Sequence, residues 1–442
     1  KKIQDSNKII GHILREDNLI ADCSLLFFTE RMCERMNRRK KYRLFIICCL
    51  TLDLLVMLLL GYQYLERKIP DEIQISRDRG ENARDVTEAL SAPLVKFEEA
   101  VTVSQDGGYI LPCKLLGYIP FKEIKVTPVD KQEIYVSGST VGIYMETEGV
   151  LVIDTGEIQD QNGETKEPAK NIIKQGDYIV SFNGQKISTK RELINDIANL
   201  DGDTVTLEVS REGESVPVSV TPVKDTKGDY KLGIWVRDDT QGIGTLTYVD
   251  QNGNYGALGH GISDIDTAQL LNIRDGALYK AQILAINKGS KGNPGELAGF
   301  IRYDDRNILG SIAINSKNGI YGQFYKGAEE DISLKKMSVA YKQDVKVGPA
   351  SVLCSVDGKV REYKAEIKKI DLNHEDTNKS FVIQITDEDL LEKTGGIVQG
   401  LSGSPVLQDG KVIGAVTHVF VQDSTSGYGI FIENMLERGN KL

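Results

Sequence analysis

The stretch QGLSGSPVLQDGKVIGAVTHVF, residues 399–420, sets Ser402 and Ser404 two positions apart among glycines. A run that alternates around Asp409-Gly410 follows and reads as a β-hairpin with the Asp-Gly pair at its turn. Glycine on either side of Ser402 permits a tight turn that lifts a hydroxyl clear of the backbone. A serine nucleophile needs that exposure, a base within reach, and backbone amides aimed at the developing oxyanion. A G-x-S-G turn also serves structure alone, so this stretch by itself leaves a nucleophile and a plain glycine turn both open.

Outward from that turn, the 442-residue chain is 40% hydrophobic and 27% charged, the balance of a globular protein long enough for two or three domains. Its 43 glycines suit many short strands joined by tight turns. A net charge of −10 argues against nucleic acid as a partner, because binding a phosphate backbone needs a basic face. The six cysteines form no C-x-x-C pair and the four histidines, at 12, 260, 374 and 418, no H-E-x-x-H. The pattern calls for no metal and no cofactor. Cys113 and Cys354 remain open to pairing with each other.

Residues 44–62 open with LFIICCLTLDLLVMLLL, interrupted only by Thr51 and Asp53, and follow RRKKYR at 38–43. The stretch has the length of a transmembrane anchor and lacks a small-residue cleavage site. The basic segment 36–43 predicts a cytosolic N-terminal side, with everything beyond residue 62 extracytoplasmic. Met36 begins MNRRKKYRLF, an ordinary start for an exported bacterial protein, so residues 1–35 read as a non-native extension. Residues 63–105 are charged and aperiodic and read as a stalk open to proteolysis.

Residues 106–222 alternate short strands with turns. GDYIVSFNGQKI, the short amphipathic helix at 190–199 and TVTLEVSR resemble, in that order, a bacterial PDZ domain, which binds an extended peptide by strand addition. The expected peptide-binding loop is Gly138, Ser139, Thr140, Val141, Gly142 and Ile143. Residues 230–442 carry regularly spaced strands and suggest a closed β-barrel or sandwich. The whole is mainly β with short helices: an anchor, a PDZ-like α+β domain, and a C-terminal β domain.

The run Gly400-Leu401-Ser402-Gly403-Ser404-Pro405 followed by a hairpin is similar to the nucleophile turn of chymotrypsin-like peptidases. That resemblance makes Ser402 the nucleophile, the amides of Gly400 and Ser402 the oxyanion hole, Ser404 a supporting residue, and Thr417, His418 and Val419 the substrate strand. Of the histidines, His260 in YGALGHGISD stands at a strand end before a glycine and is preferred as base over His418. The orienting acid is open among Asp264, Asp266 and the run Asp387-Glu388-Asp389.

LLGYIPFKEIKV, YGALGHGISD and the long block EKTGGIVQGLSGSPVLQDGKVIGAVTHVFVQDSTSGYGIFIE resemble the stage IV sporulation protein B family of serine peptidases. The resemblance spans residues 36–442 and implies a His–Asp–Ser triad of His260, Asp387 and Ser402. Two features depart from chymotrypsin proper: Asp387 lies only 15 residues before Ser402, and glycines flank His260. The family implies self-cleavage near the N-terminus, here in the stalk, and cleavage of a membrane-bound regulator of an intramembrane protease. These events occur between the forespore and mother-cell membranes and activate a late sporulation sigma factor. The alternatives are an inactive membrane-anchored PDZ scaffold and a general extracytoplasmic quality-control protease, although the latter type sets its peptidase before its PDZ domain.

Overall fold

The computed structural model describes residues 38–77, 86–87, 90, 94–98, 100–102, 107–374 and 376–441. The extension expected at 1–35 lies outside them, as do parts of the expected stalk.

Helix α1 (Arg38–Lys68) spans 31 residues, and its segment Tyr42–Lys68 is long and apolar enough to cross a membrane. It outruns the expected 44–62 at both ends, since the basic residues before the apolar core and Arg67-Lys68 after it are good helix formers.

Residues 67–442 form a separate compact unit. Its first sheet contains β1 (Glu72–Ser76), β2 (Tyr109–Leu115) and β3 (Ile119–Val129). β1 pairs in parallel with β3, from Glu72 opposite Lys125 to Ser76 opposite Val129. Part of the expected stalk is therefore sheet. Its alternating Ile73 and Ile75 are buried with Leu111, Ile124 and Val126, a short apolar signal hidden among many charges. β2 and β3 lie in this sheet, so the PDZ-like unit begins later than residue 106.

That unit is built from the far half of β4 (Thr140–Thr155), β5 (Tyr178–Phe182), helix α2 (Lys190–Ala198), β6 (Val205–Arg211), β7 (Glu214–Val220) and the start of β8 (Ile234–Val249). A capping box starts α2: the Thr189 side chain accepts from Glu192 N, and the Glu192 carboxylate accepts from Thr189 N. Leu193 turns inward against Val150, Ile179, Leu207 and Val209.

β4 and β8 stay paired from Thr155 opposite Ile234 to Thr140 opposite Thr245, and so run out of the PDZ-like unit into a barrel. There β4 also pairs with β10 (Ile273–Asn287), β10 with β11 (Ile308–Ser316), β11 with β12 (Gly319–Phe324), β12 with β9 (Asn254–Ala257), and β9 with β8. These pairings close a ring, filled by Val141, Ile143, Leu246, Tyr255, Leu278 and Ile320.

A second closed barrel has the order β13 (Gly348–Ser355), β14 (Val360–Ile370), β15 (Phe381–Ile385), β18 (Asp423–Phe431), β17 (Lys411–Phe420) and β16 (Pro405–Gln408). The expected barrel is thus a pair of barrels. The two cysteines open to pairing are both free and buried, Cys113 in the first sheet and Cys354 in the second barrel. Burial pushes their thiols up to about 11 and about 12.

Phe381 is the bulky centre of the second barrel, 1% exposed and with its ring 5.6 Å from that of Phe431. A side chain at Gly429 would reach within 2.2 Å of that ring, so glycine there makes room for it. Phe381→Ala should lower the unfolding free energy by about 3–5 kcal/mol in urea titration. A loss below about 1 kcal/mol would contradict this packing.

Candidate active site

Ser402 sits in the turn that enters β16, and the sequence makes that turn tight. Leu401 is buried and pins it to the core. Gly403 has φ +93° and lies so close to the first barrel that a side chain would meet Thr245 O at 2.2 Å and Leu258 N at 2.5 Å. Gly403 N donates to Val416 O at 2.8 Å and Ser404 N to Leu401 O at 3.0 Å. Among the described residues, neither Gly400 N–H nor Ser402 N–H has an acceptor in the protein. The Ser402 hydroxyl, on a half-buried residue, donates to Thr417 O at 2.6 Å. Ser404 is fully buried and its hydroxyl has no partner. Of the two serines, only Ser402 is accessible.

His260 follows β9 and comes from the first barrel. Gly259 before it has φ +67°, and a side chain there would meet Thr417 Cγ2 and Ile430 Cγ2 at 2.9 Å. The turn therefore packs directly on the strand that receives the Ser402 hydroxyl. The Nδ1 atom lies 2.8 Å from Gly261 O. A carbonyl only accepts, so Nδ1 carries the proton of the neutral ring and Nε2 is left as the basic atom. Burial holds the His260 pKa below its ordinary value, outweighing the carbonyl contact. The ring lies 4.7 Å, centroid to centroid, from that of His418. Desolvation first and the His260 charge second lower the His418 pKa as well.

The structure thus gathers Ser402, His260, Thr417 and His418. The β17–β18 register jumps between Val416 and Val419, so Thr417 and His418 lie in an irregularity. Val419 pairs with Gly427 on its far edge, and Thr417 is held by its hydroxyl, which donates to Asn378 O at 2.7 Å. On the Ser402 side Val416 is bonded to Gly403 N and Ser404 O, and beyond it no described strand pairs with β17.

Asp387 is not brought to His260. It is the N-cap of helix α3 (Glu388–Thr394), where one carboxylate oxygen accepts from Asp389 N and Leu390 N. The other oxygen accepts from Lys364 N at 3.1 Å. No carboxylate contributes to the His260 shift. The short motif before the helix reads equally well as an acid or as a cap, and here it is a cap. Asp264 and Asp266 are also committed elsewhere, both pairing with Arg237 on β8. Burial raises the Asp264 pKa, but two backbone N–H groups and Arg237 outweigh that and hold it low. The Gly261 carbonyl, not a carboxylate, is the partner of the imidazole.

Thr140–Ile143 lies in the first barrel, between β8 and β10, and Gly138 N donates to Leu246 O. A space of about 610 Å³ lies between α2 and the start of β8, lined by Leu193, Ile194, Ile197, Leu232, Gly233 and Trp235. Residues 234–237 pair only with β4 among the described strands, which leaves the edge toward α2 open. The local signal for that edge is KLGIWV at 231–236, a glycine-apolar run like TVGI but at the other end of the unit.

Comparison with known proteins bears on this arrangement. Residues 228–436 match the family described as SpoIVB peptidase S55, and residues 140–221 match the PDZ domain. The chain is 37% identical over 99 residues to a protein of Bartonella henselae named "Probable periplasmic serine endoprotease DegP-like", covering 22% of this chain and 17% of that one. It is 31% identical over 62 residues to zinc metalloprotease RasP of Geobacillus kaustophilus, covering 14% and 15%. The match therefore spans about a sixth of the length of each curated relative. Among solved structures, the HtrA-type protease AlgW with decapeptide is 12% identical over 46% of this chain and 54% of that one, with a TM-score of 0.25.

Asp387→Ala removes the acceptor for the first amides of α3 and should lower the unfolding free energy by about 1 kcal/mol, while Asp387→Asn, an equally good cap, should be nearly neutral. Equal stability of the alanine variant and the parent would contradict the capping role.

Proposed function

This chain belongs to the SpoIVB peptidase S55 family and carries a PDZ domain ahead of the peptidase, and from that premise we propose that it is a serine endopeptidase with Ser402 as nucleophile and His260 as base. The supporting observation is the Ser402 turn itself: an accessible hydroxyl, two amides with no acceptor among the described residues, and a neutral imidazole on a turn whose Gly259 packs on the same Thr417.

In this reading an extended substrate places its scissile carbonyl over the turn. The Ser402 hydroxyl leaves Thr417 O and attacks the carbonyl carbon while its proton passes to His260 Nε2. The oxyanion rests on Gly400 N–H and Ser402 N–H, which cost no reorganisation because nothing else occupies them. The imidazolium, still donating from Nδ1 to Gly261 O, then protonates the leaving amine. Water enters by the reverse route and releases the acyl group. The edge of β17 beyond Val416 receives the substrate backbone, with Thr417, His418 and Val419 beside it.

The substrates that fit the family are proteins: this chain itself and a membrane-bound regulator of an intramembrane protease. The chain is anchored through its apolar helix, its peptidase on the extracytoplasmic face between the forespore and mother-cell membranes. There it signals toward a late sporulation sigma factor and can be released by self-cleavage. The self-cleavage site lies within 63–105. A bond inside β1 is disfavoured, because that strand would have to leave β3 before entering a cleft. The groove along the start of β8 receives the extended peptide of a target or of a second copy.

Purified full-length chain should shorten itself, and Ser402→Ala should abolish the shortening, with a rate lower by about 10⁶-fold. Ser404→Ala, which alters a buried hydroxyl, should still cleave. Continued shortening of pure Ser402→Ala would overturn the nucleophile assignment.

The base must be unprotonated to act, so cleavage rises with pH through the His260 pKa. Burial lowers that pKa, so the half-maximal point should fall on the acid side of about 6.5. A midpoint above about 7 in a pH–rate profile would contradict a desolvated His260 as base.

A further inference from the structure

The nucleophile belongs to one barrel and the base to the other, and their spacing depends on whatever joins the two. We propose that Thr245, on β8, is a positioning residue that sets the distance between Ser402 and His260. This rests on the reading of those two residues as nucleophile and base.

Three polar groups of Thr245 carry the argument. Its N–H donates to Ser402 O at 3.0 Å. Its hydroxyl donates to Gly400 O at 2.8 Å, so both residues whose amides form the oxyanion site are held by the same side chain and backbone. Its carbonyl accepts from Leu258 N at 3.2 Å, two residues before His260. One residue thus fixes the serine turn on one side and the histidine turn on the other. Thr245 is 1% exposed, so no water competes for these bonds. Thr247, also buried, adds a second tie to the serine turn alone, its hydroxyl donating to Gly403 O at 2.8 Å.

The hydroxyl is what the sequence adds to the strand. A β-branched residue of any kind suits β8, but only threonine among them can donate to a carbonyl that no sheet partner reaches. Without that bond the Gly400 carbonyl is buried and unpaired, and the peptide is free to rotate away from the reacting geometry. Misplacement by about 1 Å at a reacting centre costs roughly 10²-fold in rate.

The test is phosphonylation of the full-length chain by an alkyl fluorophosphonate. The Ser402 oxygen forms the bond to phosphorus, fluoride leaves, and the hydroxyl proton goes to His260. Thr245→Val keeps shape and backbone bonds and removes the hydroxyl. It should slow the maximal labelling rate about 10- to 100-fold, with the half-saturating probe concentration within about twofold. Thr245→Ser restores the donor and should recover most of the rate. Equal maximal rates for Thr245→Val and the parent, or failure of Thr245→Ser to recover, would overturn the proposal. If Thr245→Val does not fold, Thr247→Val decides: labelling should slow by about 3- to 10-fold, and an unchanged rate would overturn the positioning role of the strand. Ser402→Ala runs alongside. Labelling that survives in it defeats the nucleophile assignment itself, a separate failure from that of Thr245.

Discussion

The carbonyls of the serine turn are the constraint on which the rest of this structure depends. Gly400 O, Ser402 O and Gly403 O belong to a turn that precedes its own strand and has no neighbour in its own barrel to satisfy them. Strand β8, from the other barrel, supplies all three donors through Thr245 and Thr247. Buried carbonyls without donors are costly, so the active turn forms only where the two barrels meet. The site is therefore assembled by tertiary packing, although the residues that carry its chemistry lie in short local motifs.

The same strand ties together more than the barrels. Its first residues, Ile234–Val236, line the space beside α2; Arg237 holds Asp264 and Asp266 on the segment after His260; Lys190 at the start of α2 pairs with Asp238. Sixteen consecutive residues thus run from the side of α2 to the Ser402 turn. The PDZ-like unit and the first barrel share β4 and β8, so they are one continuous sheet and not two beads on a linker.

What was legible in the sequence follows from the range of the physics involved. The Ser402 turn and the His260 strand end could be read because glycine requirements and exposure are local. The long apolar helix could be read because a run such as LFIICCLTLDLLVMLLL has few other uses. TVGI and LGIW are alike locally, and only long-range pairing decides that the first lies between two barrel strands and the second beside α2. Asp387 was read as the orienting acid and is the cap of α3 here, since an aspartate before a short helix satisfies a cap and a triad motif equally well. β1 was read as stalk because its two isoleucines acquire meaning only beside β3.

The central claim is that Ser402, with its own amide and that of Gly400, is the reacting centre. A crystal structure of the chain after reaction with a fluorophosphonate tests it most directly. The account predicts phosphorus on Ser402 Oγ, with its non-bridging oxygen about 3 Å from both Gly400 N and Ser402 N. Phosphorus on any other side chain, or an oxygen turned away from both amides, would contradict it.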